Sequence, residues 1–244
     1  MPANVLGNGV TVQWYGHACV LITSANTGTE GGKRIMIDPF VQSNPACPKE
    51  LHDVRDLDLL LITHGHGDHM GDAVTVCKSG KPKKVIAIHE IGEWLATKGV
   101  ENVSGMNRGG TQEAEGIKVT QTLAIHSSGI GDGADMYPGG EPSGYVLTLE
   151  NGFRIYHAGD TALFGDMALI GELWTPDLAL LPIGDHYTMG PREAARAAQL
   201  LGAKWVVPIH WGTFPVLTGT PQQLRAAAGG KFEVLELKPG ETLS

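Results

Sequence analysis

The sequence predicts an α/β fold made of two related halves packed sheet to sheet, and three observations predict it. Short apolar or β-branched runs recur along the chain and end in polar clusters, helical patterns lie between some of them, and the motif order of the first half returns in the second. "WYGHA", "MIDPF", "LDLLLITHGHGDH" and "KVIAIHE" parallel "LAIHSS", "YHAGDT", "PDLALLPIGDHY" and "KWVVPIH". The spacings agree. Asp38 to His64 and Asp160 to His186 are both 26 residues apart, and His64 to His89 is 25 against 24 for His186 to His210. His17 to Asp38 is 21 and His126 to Asp160 is 34, which places an insertion in the second half around "SGIGDGADMYPGGEPSG". Packing two such halves sheet to sheet brings the polar ends of equivalent strands to one shared edge, where a site can form.

Taken in chain order, "VTVQWYGHACVLI", "KRIMIDPF", "LDLLLITHGHGDH", "KVIAIHE", "IKVTQTLAIHSS", "SGYVLTLE", "FRIYHAGDT", "DLALLPIGDH" and "KWVVPIH" read as strands, several of them buried on both faces. "PREAARAAQLLGA" is the clearest helix: Pro191 suits the first turn, Glu193 the positive end of the dipole, and Gly202 the stop. "EIGEWLATKG" is a second, ending at Gly99. The basic stretch "KSGKPKK", residues 78–84, reads as a solvated loop before "VIAI". With 244 residues, 42% of them hydrophobic, and no Pro- or Ser-rich linker, residues 1–244 are expected to form a single domain.

Composition excludes several function classes. No apolar run approaches the roughly 18 residues of a membrane helix, and the first Lys or Arg is Lys33, so no secretory n-region is expected. Cys19, Cys47 and Cys77 lack CxxC spacing and do not suggest a disulfide framework or a cysteine zinc site, which fits a cytoplasmic protein. A net charge of -8 argues against nucleic acid as a partner. A small-molecule substrate is expected instead, with a homo-oligomer left open.

The chemistry concentrates in "THGHGDHMGD", residues 63–72. On a strand end, His64, His66 and Asp68 would alternate to one side, Gly65 and Gly67 would let the backbone bend closely, and His69 would turn in next. Imidazole and carboxylate are the ligand set of zinc and similar first-row ions. Four such residues in six positions exceed what one tetrahedral ion takes from so short a segment, so two metals with partners elsewhere are expected. A polar turn with incidental histidines is the competing reading. His126 in "AIHSS", Asp160 in "HAGDT" and His210 in "PIHWG" each follow an apolar run and supply the partners.

"HGHGDH" followed by His126, Asp160 in "GDT" and His210 resembles the metal-binding motifs of the metallo-β-lactamase superfamily, in order, over nearly the whole chain. "WYGHACVLI", "IDPF", "GGEPSGYV" and "PIGDHYTMGPREAARA" resemble its small bacterial uncharacterised metal-dependent hydrolases (UPF0173-like), relatives of the ascorbate-phosphate lactonases. The resemblance implies a four-layer αββα sandwich and a dinuclear hydrolase that uses a metal-bridging hydroxide on a small ester, lactone or phosphoester. One ion would sit on His64, His66 and His126, the other on Asp68, His69 and His210, with Asp160 between them. Zinc suits the set best, and manganese, iron or nickel are also admitted.

Asp68 is expected to orient the nucleophile as well as bind metal, and Asp38 to hold a histidine or a loop N–H from behind. His186 is the candidate to protonate a leaving group or hold an oxyanion, and His17 to touch substrate. His89 and His157 read as structural. The insertion, residues 127–144, is expected to be a loop over the pocket, with Tyr137 and Glu141 contacting substrate. Two other functions compete: a di-iron redox enzyme of the same fold, and a metal-dependent nuclease or phosphodiesterase. The first resembles a family with a carboxylate where this chain has His66, and with a flavin domain where this chain ends at Ser244.

Overall fold

The computed structural model describes residues 5–7, 9–25 and 31–244. In the first half, β1 (Thr11–Gly16), β2 (Cys19–Thr23), β3 (Arg34–Ile37), β4 (Leu59–Leu61), β5 (Lys84–Ile88) and β6 (Val103–Met106) lie side by side in chain order. Helices α1 (Gly67–Met70) and α2 (Ala73–Gly80) connect β4 to β5, and α3 (His89–Thr97) follows β5. The second half runs β7 (Thr111–Ala114), β8 (Ile117–Leu123), β9 (Gly129–Asp132), β10 (Asp135–Pro138), β11 (Ser143–Thr148), β12 (Arg154–His157), α4 (Met167–Trp174), β13 (Leu178–Pro182), α5 (Pro191–Leu201), β14 (Trp205–Ile209), α6 (Pro221–Ala228) and β15 (Glu233–Val234). Its sheet has the order β7-β8-β11-β12-β13-β14-β15, while β16 (Thr242–Leu243) returns to pair with β1.

The predicted repeat is visible in the pairing. From β1 to β6, two antiparallel pairings precede three parallel ones, and β8, β11, β12, β13, β14 and β15 repeat that series. Strand starts repeat too. The Arg34 N–H donates to the Asp58 carboxylate and the Arg154 N–H to that of Asp177, each at 2.8 Å, and each aspartate returns its own N–H to the arginine carbonyl at 2.9 Å.

Side chains alternate across each sheet and so separate three apolar layers. Leu59, Leu61, Leu178 and Leu180 meet between the sheets, Leu60 faces outward with Val76 and Ile91 of α2 and α3, and Ala179 and Leu181 face outward with Ile170 and Ala194 of α4 and α5. The result is the expected αββα sandwich. Buried polar bonds stitch its sheets together, among them the Tyr145 hydroxyl donating to the Ile62 carbonyl (2.7 Å) and His157 Nε2 to the Ala18 carbonyl (3.0 Å). His157 is structural, as expected.

All nine predicted strand runs contain strand, and α5 has Pro191 in its first turn and Gly202 as a left-handed cap with φ 64°. Three expectations change. "VTVQWYGHACVLI" divides into β1 and β2, because His17 adopts φ 57° and reverses the chain. The basic stretch is not all loop, since Lys78, Ser79 and Gly80 close α2 and Lys84 opens β5. The insertion holds a β-hairpin: β9 and β10 pair antiparallel around Gly133, whose φ of 61° suits the two-residue turn. Its glycines and prolines ruled out a central strand but not a two-stranded ribbon.

Burial raises the Asp58 carboxyl, but the Lys83 ammonium at 2.8 Å and the Arg34 N–H outweigh it and hold the group below the usual carboxylate range. A carboxyl depressed in the folded state adds stability above its unfolded pKa of about 4 and loses it as pH falls through the folded value. Asp58→Asn is therefore expected to be less stable than the parent at neutral pH, with the gap narrowing at pH 3; urea unfolding at both pH values measures it.

Candidate metal centre

The site forms where the ends of β3, β4, β8, β12 and β14 converge. Asp38, just after β3, is buried and left-handed (φ 54°), and its carboxylate organises the next segment. It accepts the Thr63 N–H, the Thr63 hydroxyl and His69 Nδ1, each at 2.8 Å. Because the Thr63 hydroxyl spends its one proton on Asp38, it must accept from His64 Nδ1–H at 3.0 Å. That fixes the His64 tautomer and leaves its Nε2 lone pair facing inward. Asp38 thus has the supporting role expected of it.

"HGHGDH" is not a continued strand. β4 ends at Leu61, His66 caps α1, and Asp68 and His69 sit on that one-turn helix, so helical geometry rather than alternation brings them in. Gly65 is needed for a different reason from the one expected: a Cβ there would lie 2.8 Å from Ile130 of the β9–β10 hairpin. The Gly65 N–H also donates to the Ser128 hydroxyl at 3.1 Å.

At the centre lies the buried Asp160. Its Oδ2 has His210 Nε2 at 3.0 Å, His69 Nε2 at 3.2 Å, His126 Nε2 at 3.6 Å and His64 Nε2 at 4.0 Å. Burial alone would raise this carboxyl, but His210 and His69 pull it well below the ordinary range. Burial likewise opposes charge on His69, yet Asp160 and Asp38 on opposite ring nitrogens raise it well above a free imidazole. For His64 and His66, burial and then His69 lower the pKa; for His126, burial outweighs Asp160 and also lowers it.

His17 reaches the same centre from the β1–β2 turn. Its Nε2 lies 3.1 Å from Asp68 Oδ2, its Nδ1 3.0 Å from the Thr213 hydroxyl, and its ring centroid 3.9 Å from that of His210. Burial pushes the His17 pKa down to about 4 despite the Asp68 bond. His17 lies at the shared edge as the repeat predicted, but it holds Asp68 rather than lining the cavity.

The donor set fits cations. Ligand atoms of His64, His66 and His126 cluster within 4.8 Å of one another, as do those of His17, Asp68, His69 and His210, and those of His64, His69 and Asp160. Asp160 Oδ1 is buried without a hydrogen-bond partner. Such an atom is costly unless something satisfies it, and a divalent ion beside it would do so.

A cavity of about 490 Å³ opens onto this centre, lined by His66, Asp68, His126, Asp160 and His210 together with Ser127, Tyr187, Phe214 and Val216. Three sequence candidates lie elsewhere. His186 is exposed, left-handed (φ 59°) and edge-on to Tyr187, so the neighbouring tyrosine faces the cavity in its place. Tyr137 lies in a groove beside His89, Trp94 and Lys98 of the α3 segment. Glu141 is exposed and pairs with Arg108 at 3.4 Å. Ser127, Tyr187, Phe214 and Val216 were missed, although each lies within six residues of a histidine that the repeat had singled out.

A model of the β-lactamase superfamily domain matches residues 33–211. The chain belongs to that superfamily. Two full-length relatives, each named a UPF0173 metal-dependent hydrolase, come from Koribacter versatilis (52% identical, 97% of this chain and 98% of theirs) and Rubrobacter xylanophilus (50%, 100% and 99%). Among solved structures, Igni18, described as a novel metallo hydrolase from Ignicoccus hospitalis, superposes with a TM-score of 0.83 at 36% identity, covering 96% of this chain and 97% of its own. The superfamily's four-layer sandwich is thus this chain's fold.

Since Asp38 fixes the tautomer and aim of His69 and, through Thr63, of His64, Asp38→Asn is expected to weaken metal affinity by about 10- to 100-fold. Competition against a chromophoric chelator measures this, and circular dichroism checks that the fold is retained.

Proposed function

We propose that this protein is a dinuclear metal-dependent hydrolase acting on a small ester, lactone or phosphoester. The observation that carries this reading is the convergence of four imidazole nitrogens within 4.0 Å of one buried Asp160 oxygen, beside a buried Asp160 Oδ1 that has no hydrogen-bond partner. His64, His66 and His126 would hold one ion and Asp68, His69 and His210 the other, with Asp160 shared. Zinc suits so imidazole-rich a set. The family names of the full-length relatives agree with the hydrolase assignment.

When bound, such ions make water acidic enough to attack near neutral pH and polarise the oxygen of the scissile group. The chain's own residues supply the rest. Asp68 lines the cavity while its Oδ2 is held by His17, so its carboxylate is fixed where it can orient water and take up a proton. Thr213 and Asp68 occupy opposite nitrogens of the His17 ring and prevent it from turning. Tyr187 lines the cavity, whereas the exposed His186 beside it does not.

Asp160→Ala is expected to leave a folded chain that binds fewer than two ions and hydrolyses at background. Elemental analysis of the purified variant, alongside an ester, lactone and phosphoester screen of the parent, tests this; two retained ions with undiminished turnover would exclude Asp160 as the shared ligand.

Metal uptake should also be coupled to pH. The raised His69 imidazole carries a proton in the metal-free chain near neutrality and must release it to bind an ion. Affinity is expected to fall as pH falls, with proton release that calorimetry in buffers of different ionisation enthalpy can count.

A further inference from the structure

Beside the ligand-type residues, the remaining wall of the cavity bears on what a substrate carries away from its reacting group. Tyr187, Phe214 and Val216 form that wall, with Ser127 as its polar contribution. Phe214 is held in place, its ring edge-on to His17 at 5.5 Å. No Lys or Arg lines the cavity among the described residues, and residues 1–4, 8 and 26–30 contain neither. The one charged group of the lining outside the central cluster on Asp160 is the Asp68 carboxylate, about a third exposed and bound to His17. A second anionic group seated against that wall would have to leave water for aromatic and aliphatic surface that offers no lysine or arginine of its own, a costly transfer.

Resting on the hydrolase reading above, we infer that the substrate is an ester or lactone whose non-reacting part is uncharged and apolar, seated against Tyr187, Phe214 and Val216. The wall therefore disfavours sugar-phosphate lactones and other substrates with a distal phosphate or carboxylate. The volume of about 490 Å³ suits an alkyl chain or a single substituted ring beyond the reacting group. In the reaction, water's oxygen bonds to the acyl carbon as the bond from that carbon to the alkoxy oxygen breaks. The products are a carboxylate, a proton and the alcohol, which stays tethered when the substrate is a lactone.

The test compares substrates that differ only at the far end. On the metal-loaded protein, 4-nitrophenyl hexanoate is set against its 6-sulfohexanoate counterpart; a sulfonate is a poor metal ligand, so the pair reports on the wall rather than the ions. The neutral ester is expected to have a kcat/KM at least about tenfold higher, within the range for one mismatched group in an apolar pocket. Val216→Lys, with metal content verified, is expected to narrow or reverse that ratio.

Calorimetric titration with hexanamide and 6-sulfohexanamide reads the same preference without turnover. Hexanamide should bind more tightly. Equal or tighter binding of the sulfonate, or equal or faster turnover of its ester, would overturn the inference. Inert esters with hexanamide still preferred would instead refute the hydrolase reading and leave the apolar seat standing.

Discussion

The structure depends on one buried carboxylate. Asp160 sits at the meeting point of both sheets, with histidines from α1 and from the segments that follow β4, β8 and β14 around a single oxygen. An isolated anion at that depth would simply protonate. This one remains charged because imidazoles face it, and two of them are aimed from behind, His69 by Asp38 and His64 by Thr63, while the His17 carbonyl anchors the His210 backbone N–H. Strain follows the same logic. His17, Asp38 and His210 all adopt positive φ just beyond a strand, where a non-glycine residue is held in that conformation only by its surroundings.

Much of this was legible because the chain repeats. Equal spacings from Asp38 to His64 and from Asp160 to His186 reflect equivalent strands, β3–β4 and β12–β13, joined in parallel in each sheet. Apolar runs revealed the strands since most are buried on both faces, and Pro191 and Gly202 bounded α5 because their backbone preferences are local. Weaker signals hid the rest. β6 and β7 lie near sheet edges with mixed exposure, and the capping box of Thr220 and Gln223 on α6 lies in a sequence with little hydrophobic contrast.

The misplaced site residues have a common cause. Equivalence in the repeat gives a residue's height along a strand but not the direction of its side chain after the strand ends. His64 and His186 follow matched strands, yet His64 is tied inward by Thr63, while His186 turns out in a left-handed residue whose N–H is capped by Asp185. Tyr137 illustrates the same limit on a ribbon: it shares a face with its cross-strand partner Ile130, which packs into the core beside Gly65, yet Tyr137 itself lies in the groove beside Trp94.

The hairpin also bears on how such an enzyme can diversify. β1 joins β2 through only His17 and Ala18, whereas the equivalent join from β8 to β11 carries the whole β9–β10 ribbon. Neither strand order nor register in the second sheet is disturbed by it, for β8 and β11 pair without interruption from Ser143 and Leu123 to Thr148 and Lys118. The ribbon is therefore a module plugged into a socket. It meets the first half through Ile130 on Gly65, Ser128 on the Gly65 N–H and the ion pair of Asp132 with Lys98. A longer or shorter ribbon would remodel the approach to the site while the duplicated scaffold, and the histidines it positions, stay as they are.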